Sequence, residues 1–353
     1  MYRVSPHQPT GGASAQPGRD SLGRSVGGGA AAPAGCSIND SVLHVLAVLA
    51  AALLFGTTGT SMALGPDDTT PLSVGAVRLV IGGTGLAIIA FVLARRHARH
   101  TAAPAPGFGV RPLGLMVLTG LCLALYQPLF FLGTERNGVA VGTVVALGSA
   151  PILAGLLEWV LTRRMPSTTW MMATALATVG VVLLGFGGEA AAAGGGGGGT
   201  DPIGLLASVG AGATFAVIAN TQRRLLDEGW DPFTVVGSMG ASSAVVSAFV
   251  LPFVDLSWLG TTSGLVMALW LGLATISIAY VMFTWGLGGL TAATAATLTL
   301  GEPLTASVLG IVVLGERLSA LAIVGLVILA AGLALLAWGS RAPRDPAPFA
   351  VEG

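Results

Sequence analysis

Ten apolar stretches, each about twenty residues long, leave this chain few ways to fold. They cover residues 42–64, 72–94, 113–133, 139–161, 168–187, 203–221, 233–253, 264–287, 290–313 and 319–339. A bilayer core roughly 30 Å thick takes about 20 helical residues to cross. No water reaches the backbone there, so each stretch must satisfy its own N–H and C=O groups as a helix. A transmembrane barrel would instead show segments of about ten residues with alternating polarity. Composition agrees, with 53% of the 353 residues hydrophobic and 9% charged, against roughly a quarter charged in a soluble domain. The sequence predicts an all-α integral membrane protein with ten transmembrane helices.

Arginine placement orients the spans. All 16 basic residues are Arg, and cytoplasmic segments of membrane proteins are enriched in such residues. With the N-terminus inside, the inner segments hold Arg3, Arg19, Arg24, Arg95, Arg96, Arg99, Arg111, Arg163, Arg164, Arg223, Arg224, Arg341 and Arg344. The outer loops keep only Arg136 and Arg317, and carry Asp67, Asp68, Glu135, Glu189, Asp201, Asp255 and Glu316. An even number of spans returns the C-terminus to the same side. This predicts a multi-pass bacterial inner-membrane protein with both termini cytoplasmic.

The polar ends and middle delimit the domains. Residues 1–40 are rich in Gly, Pro, Ser and Ala, lack the build of a secretory signal, and read as a disordered cytoplasmic tail. Residues 341–353 read as a second cytoplasmic tail. Segment 188–202, GEAAAAGGGGGGTDP, reads as a flexible extracytoplasmic linker between five-helix halves at 41–187 and 203–340. Cys36 in the tail and Cys122 in a span give no disulfide framework. The formal net charge is zero, so no global field points to nucleic acid.

The two halves are alike. Laid on 291–339 with a shift of 152, segment 139–187 brings Pro151 onto Pro303, Ala154 onto Ala306 and Gly180 onto Gly332. Five spans is an odd number, so the second copy crosses the membrane in the opposite sense. Inverted repeats place a binding site near the midplane and permit alternating access. The first span (LLFGTTGT), Arg78 in the second, and the ending GEPLTASVLGIVVLGERLSALAIVGLVILAAG resemble the EamA-type members of the drug/metabolite transporter superfamily. The first half departs from that ending, with TRRMPS where the second has LGERLS. The resemblance covers about residues 42–339. It implies ten helices as two inverted five-helix repeats, and export or exchange of amino acids, related metabolites or drugs.

Ionisable groups inside a span are costly, and each is a candidate site. Arg78, the seventh residue of its span, lies about 10 Å deep. It can grip an anionic group of a solute or snorkel to the outer headgroups. Glu302 falls near the midplane. It can carry protons or pair with a cationic group, or serve only as a protonated hydrogen-bond donor to a neighbouring helix. Pro303 beside it, and Pro151 in the other half, predict helix breaks at corresponding places, or static kinks. Pro128 predicts an irregular stretch beside Tyr126 and Gln127. Those two, with Asn220, Tyr280 and Trp285, complete the candidate solute-binding set; each alone can equally be core packing. Glu158, near an inner span end, is expected to pair with Arg163 or Arg164 or to reach the interface. Trp170, Trp230, Trp258 and Trp338 fit an interfacial belt.

These readings predict a secondary transporter of small solutes embedded in the lipid bilayer, with protons as a candidate coupling ion and no cofactor or metal. An intramembrane enzyme acting on a lipid-linked substrate is the alternative, but no HExxH, nucleophile elbow or paired intramembrane Asp is present. A channel or non-transporting scaffold would show a charged ring or filter, or need no paired helix breaks. There is no P-loop, which argues against direct ATP drive.

Overall fold

The computed structural model describes residues 38–100, 106–107, 109–187 and 201–340. The two predicted tails and nearly all of the predicted 188–202 linker lie outside the described residues. Within them the chain forms ten helices long and apolar enough to cross a membrane. They are α1 (Ile38–Ala63), α2 (Pro71–His100), α3 (Val110–Val139), α4 (Val141–Thr162), α5 (Thr168–Gly187), α6 (Pro202–Asp227), α7 (Pro232–Ala248), α8 (Thr262–Leu287), α9 (Ala292–Leu314) and α10 (Ala320–Gly339).

Local chemistry explains where they start. Asp201, Asp231, Thr261, Thr291 and Ser319 stand at N-caps, and their side chains accept hydrogen bonds from free backbone N–H groups of the first turn. Pro202 and Pro232 follow their caps at positions whose N–H would be unpaired anyway. α9 ends on Gly315 in the left-handed region (φ 72°), and Glu316 N–H closes onto Gly310 O at 3.0 Å. Arg163, its counterpart under the shift of 152, ends α4 with the same backbone (φ 58°, ψ 15°). TRRMPS and LGERLS therefore make the same turn, one with Arg and one with Gly.

Three helices are irregular. α3 and α4 meet at Gly138, whose φ of 80° and ψ of 155° only glycine adopts freely. α8 carries a π-helical stretch at Trp270–Ile278. α9 is interrupted at Thr299–Leu300, between Ala292–Leu298 and Gly301–Leu314. This interruption lies one turn before Pro303, and Glu302 and Pro303 are in the first turn of the helix that follows it. The break expected at Pro151 is absent, and so is the irregularity expected at Pro128, since both lie within regular helix. At Pro151, α6 packs closely against the helix. A Cβ on Gly212 would fall 2.8 Å from Ala146 O and 3.1 Å from Ala150 N, so two backbones press together there.

Packing crosses between the halves. α2 lies on α7, α5 on α10, α1 on α8 and α9, and α6 on α3 and α4. Small residues permit this, because helices in lipid associate through close backbone approach rather than hydrophobic expulsion. A Cβ on Gly180 would sit 2.5 Å from Leu329 N, one on Gly332 2.8 Å from Ala177 N, and one on Gly325 2.6 Å from Leu184 N. As the contact climbs α5 it descends α10, so the two run antiparallel. Under the shift of 152, Gly180 corresponds to Gly332 and Ala177 to Leu329, so one contact repeats the other with the partners exchanged.

Trp338 is 73% exposed, as an interfacial residue should be. Trp230 and Trp258 are buried instead. Trp258 packs with Val74 and Met267, and Trp230 with Met116 and Val235. Their apolar area is used between helices, not against lipid.

Candidate functional site

A cavity of about 570 Å³ opens between the halves. Its wall combines α1 (Phe55, Thr58), α2 (Arg78), α3 (Tyr126, Gln127, Phe130, Phe131), α4 (Thr143, Ala150), α6 (Phe215), α8 (Ile276, Tyr280) and α9 (Thr299, Glu302, Pro303). The lining also reaches Met62, Pro71, Thr134 and Val139, the ends of their helices on the acidic-loop face. Toward the arginine-rich face it stops at Ala150, Thr299 and Leu300.

Five candidate residues, Arg78, Tyr126, Gln127, Tyr280 and Glu302, meet in this one cavity. Arg78 Nε is buried and has no hydrogen-bond partner. Neither Arg78 nor Glu302 forms a salt bridge among the described residues. A guanidinium and a carboxyl group thus share one cavity without closing on each other. In a low-dielectric wall each attracts a complementary group far more strongly than in water.

The remaining wall is mostly apolar and aromatic, with a few hydroxyls and the Gln127 amide. Tyr126 stacks on Phe130 at 5.9 Å between centroids, and Phe55 meets Tyr280 edge-on at 5.2 Å. α9 reaches the site because α1 comes close at Gly56, where a Cβ would fall 2.7 Å from Glu302 O. The π-helical turn of α8 is fastened to α2, with Ser277 Oγ donating to Gly82 O at 2.7 Å. π-turns in membrane helices often mark functional places, and this one carries Ile276 into the wall four residues before Tyr280.

Two candidates lie elsewhere. Asn220 is buried and donates to Ala154 O at 3.1 Å and Ala216 O at 3.0 Å, a staple between α6 and α4. Trp285 packs on His44, 4.6 Å between ring centroids, away from the cavity. A polar or aromatic residue in a span does not reveal which side of its helix faces the cavity. The sequence reading also missed Thr58, whose hydroxyl is buried without a partner on the cavity wall, and the four Phe residues. In a chain this rich in Thr and Phe nothing local marks them. Glu158, expected to meet Arg163 or Arg164, has Oε2 accepting from Ala293 N–H at 2.8 Å, at the start of α9. Outside the spans, Arg136 and the Ile203 N–H hold the Asp201 carboxyl below the usual carboxylate range, and Ser257 does the same to Asp255.

The sequence model of the EamA-like transporter family matches twice, over residues 42–186 and 202–338. The chain belongs to the EamA-like transporter family. It is 38% identical over 302 residues to the uncharacterized transporter YwfM of Bacillus subtilis (strain 168), across 86% of this chain and 95% of that protein. A solved crystal structure shares the fold, with a TM-score of 0.66, 20% identity, and coverage of 84% of this chain and 97% of that one. As a member of this family the chain is a multi-pass membrane transporter, in keeping with its ten apolar helices.

Proposed function

We propose that this EamA-like transporter is a secondary exporter or exchanger of a small solute with an anionic head and an apolar body. It resides in a bacterial inner membrane with both termini cytoplasmic. Arg78 takes the anionic head through its unoccupied guanidinium donors, and the Phe and Tyr wall takes the body. Glu302 either faces a cationic group of the solute or carries the coupling proton. Zwitterionic and drug-like solutes meet that description. The observation that carries this reading is Arg78 itself: a guanidinium with a buried, unpartnered Nε in an apolar cavity between two halves. An uncompensated buried charge costs several kcal/mol unless a ligand satisfies it (roughly 3–5 for a broken pair).

The domain reading supports alternating access. Each half is one five-helix repeat, 41–187 and 203–340. Their inversion is supported by the antiparallel α5–α10 contact and by the exchange of partners across it. The outer face is the one bearing the acidic loops, so the cavity is outward-open.

The test is reconstitution. A metabolite library is screened for thermal stabilisation of the purified protein, and hits are followed as flux into proteoliposomes. Arg78→Ala should weaken solute binding about 10- to 100-fold, the worth of a charge-assisted hydrogen-bond pair. Glu302→Gln should abolish flux driven by a pH gradient while leaving the thermal midpoint unchanged. Unchanged binding in a folded Arg78→Ala protein refutes the anion site. An unchanged pH response in Glu302→Gln refutes proton coupling through that residue.

A further inference from the structure

The half-helix Ala292–Leu298 closes the cavity on the arginine-rich side. Its residues are 0–6% exposed and all are Ala, Thr or Leu. It continues directly into Thr299 and Leu300, where the cavity stops. Both of its ends are tightened turns. Gly288, Gly289 and Leu290 donate to carbonyls three residues back, at 3.1, 3.1 and 3.2 Å. Leu300 and Glu302 do the same at 3.1 and 2.9 Å. The segment is therefore a short rigid rod between two joints, one of which ends beside Glu302.

The rod packs into the apolar core through Ala292, Ala295, Ala296 and Leu298, and polar contacts from neighbours fasten it further. Glu158 Oε2 on α4 accepts from Ala293 N–H at 2.8 Å. Trp170 Nε1 on α5 donates to Thr297 Oγ1 at 3.0 Å, and the Thr174 and Thr297 hydroxyls are 2.9 Å apart. Arg223 on α6 spans the preceding joint. Its Nη1 donates to Leu287 O and Gly288 O, both at 2.8 Å, and to Leu290 O at 3.1 Å, while Asp227 holds the guanidinium from below. Those carbonyls lie at the negative end of α8, where a cation is favourably placed. Under the shift of 152 the counterpart of this rod is residues 140–146, just past the Gly138 joint. Thr143 and Ala146 there, with Val139 just before them, line the cavity. The same register is thus buried throughout in one half and borders the cavity at Thr143 and Ala146 in the other.

We propose that Ala292–Leu298 is the inner gate of the transporter, and that Arg223 is its latch. For the cavity to open toward the arginine-rich face, Arg223 must release the Leu287–Leu290 carbonyls. The rod then swings about Gly288–Gly289 and Thr299–Leu300. This deepens the alternating-access reading above and rests on it.

A thiol reporter tests the gate without any solute. In a Cys36→Ser, Cys122→Ala background, Ala150→Cys places a thiol at the closed end of the cavity. Its rate with the impermeant reagent MTSET is measured from each face, in right-side-out and inverted vesicles. The parent should react at least tenfold faster from the acidic-loop face. Adding Arg223→Ala should raise the rate from the arginine-rich face tenfold or more. A disulfide between Ala154→Cys and Ala296→Cys, residues that pack together, should return that rate to the parent value, with reductant reversing it. Arg223→Lys, which keeps the Asp227 pair but lacks the planar fork, should give a smaller increase and guards against loss of folding. Rates unchanged within twofold in folded Arg223→Ala or Arg223→Lys protein, or a cross-link without effect, overturn the proposal. A gate that responds in a protein carrying no solute would sink the transport reading alone. Fast and slow faces that trade places would sink only the assigned orientation.

Discussion

The starts of α4 and α9 occupy equivalent places in their halves and do different things. Residues 141–150 alternate between buried and partly exposed, and Thr143, Ala146, Leu147 and Ala150 among them wall the cavity. Residues 292–300 are buried throughout and plug it. Both follow a joint, Gly138 in one case and Gly288–Gly289 in the other, and both joints are tied to α6. At one end of α6, Arg136 Nη1 donates to Asp201 at 2.7 Å and Asn137 Nδ2 donates to Asp201 O at 3.1 Å. At the other end Arg223 holds the α8–α9 carbonyls. One helix thus grips the two equivalent turns by its opposite ends, and only one turn leads into a covered segment. Local sequence does not set which is open; the lateral packing of neighbours does.

Substituting the two segments should break the equivalence most strongly. Ala296 is fully buried against Ala154 and Ala216, so Ala296→Leu should cost about 1–3 kcal/mol by overpacking. Thr143→Leu on the open wall should leave stability within about 0.5 kcal/mol while filling the cavity and lowering flux. Thermal unfolding of both variants in one detergent measures the contrast. Equal losses would mean that the two segments are packed alike.

The two endings offer a subtler contrast. Gly315 and Arg163 share a left-handed backbone, and a Cβ at Gly315 would meet nothing within 4 Å. The penalty of a side chain there is therefore conformational alone, roughly 1–2 kcal/mol. Gly315→Ala should destabilise by about 1 kcal/mol and Arg163→Gly should stabilise by a similar amount. Shifts of the same sign in the two variants would show that the turns are not equivalent.

The smallest effect belongs to the outer tie. Asp201 is held below its ordinary value of 3.8, first by Arg136 and then by the Ile203 N–H. A depressed carboxyl contributes stability above its unfolded pKa and loses it as pH falls through the folded one. Asp201→Asn should thus lower the thermal midpoint slightly at neutral pH, and the difference from the parent should shrink as the pH falls below 3.8 and through the folded-state value. A gap that stays constant on acidification would place the stabilisation in the cap geometry and not in the charge.

The ten spans, their order and the family were legible in the sequence, because a bilayer punishes any unsatisfied backbone and so forces long apolar helices. Arg78 and Glu302 were legible for a related reason: a charge in a span is expensive enough to need a cause. The packing of helix on helix decided the rest. Pro151 lies within unbroken helix against Gly212 of α6, whereas α9 is interrupted before Pro303. Packing turned Asn220 into a staple and Trp285 onto His44, and it chose Thr58 and four Phe residues for the cavity wall. Side-chain direction around a helix depends on neighbours far away in the chain, and a span that is apolar all round carries no periodic signal of which face turns inward. The open mouth and the covered gate come from the same fifty-residue pattern written twice, and only the surroundings distinguish them.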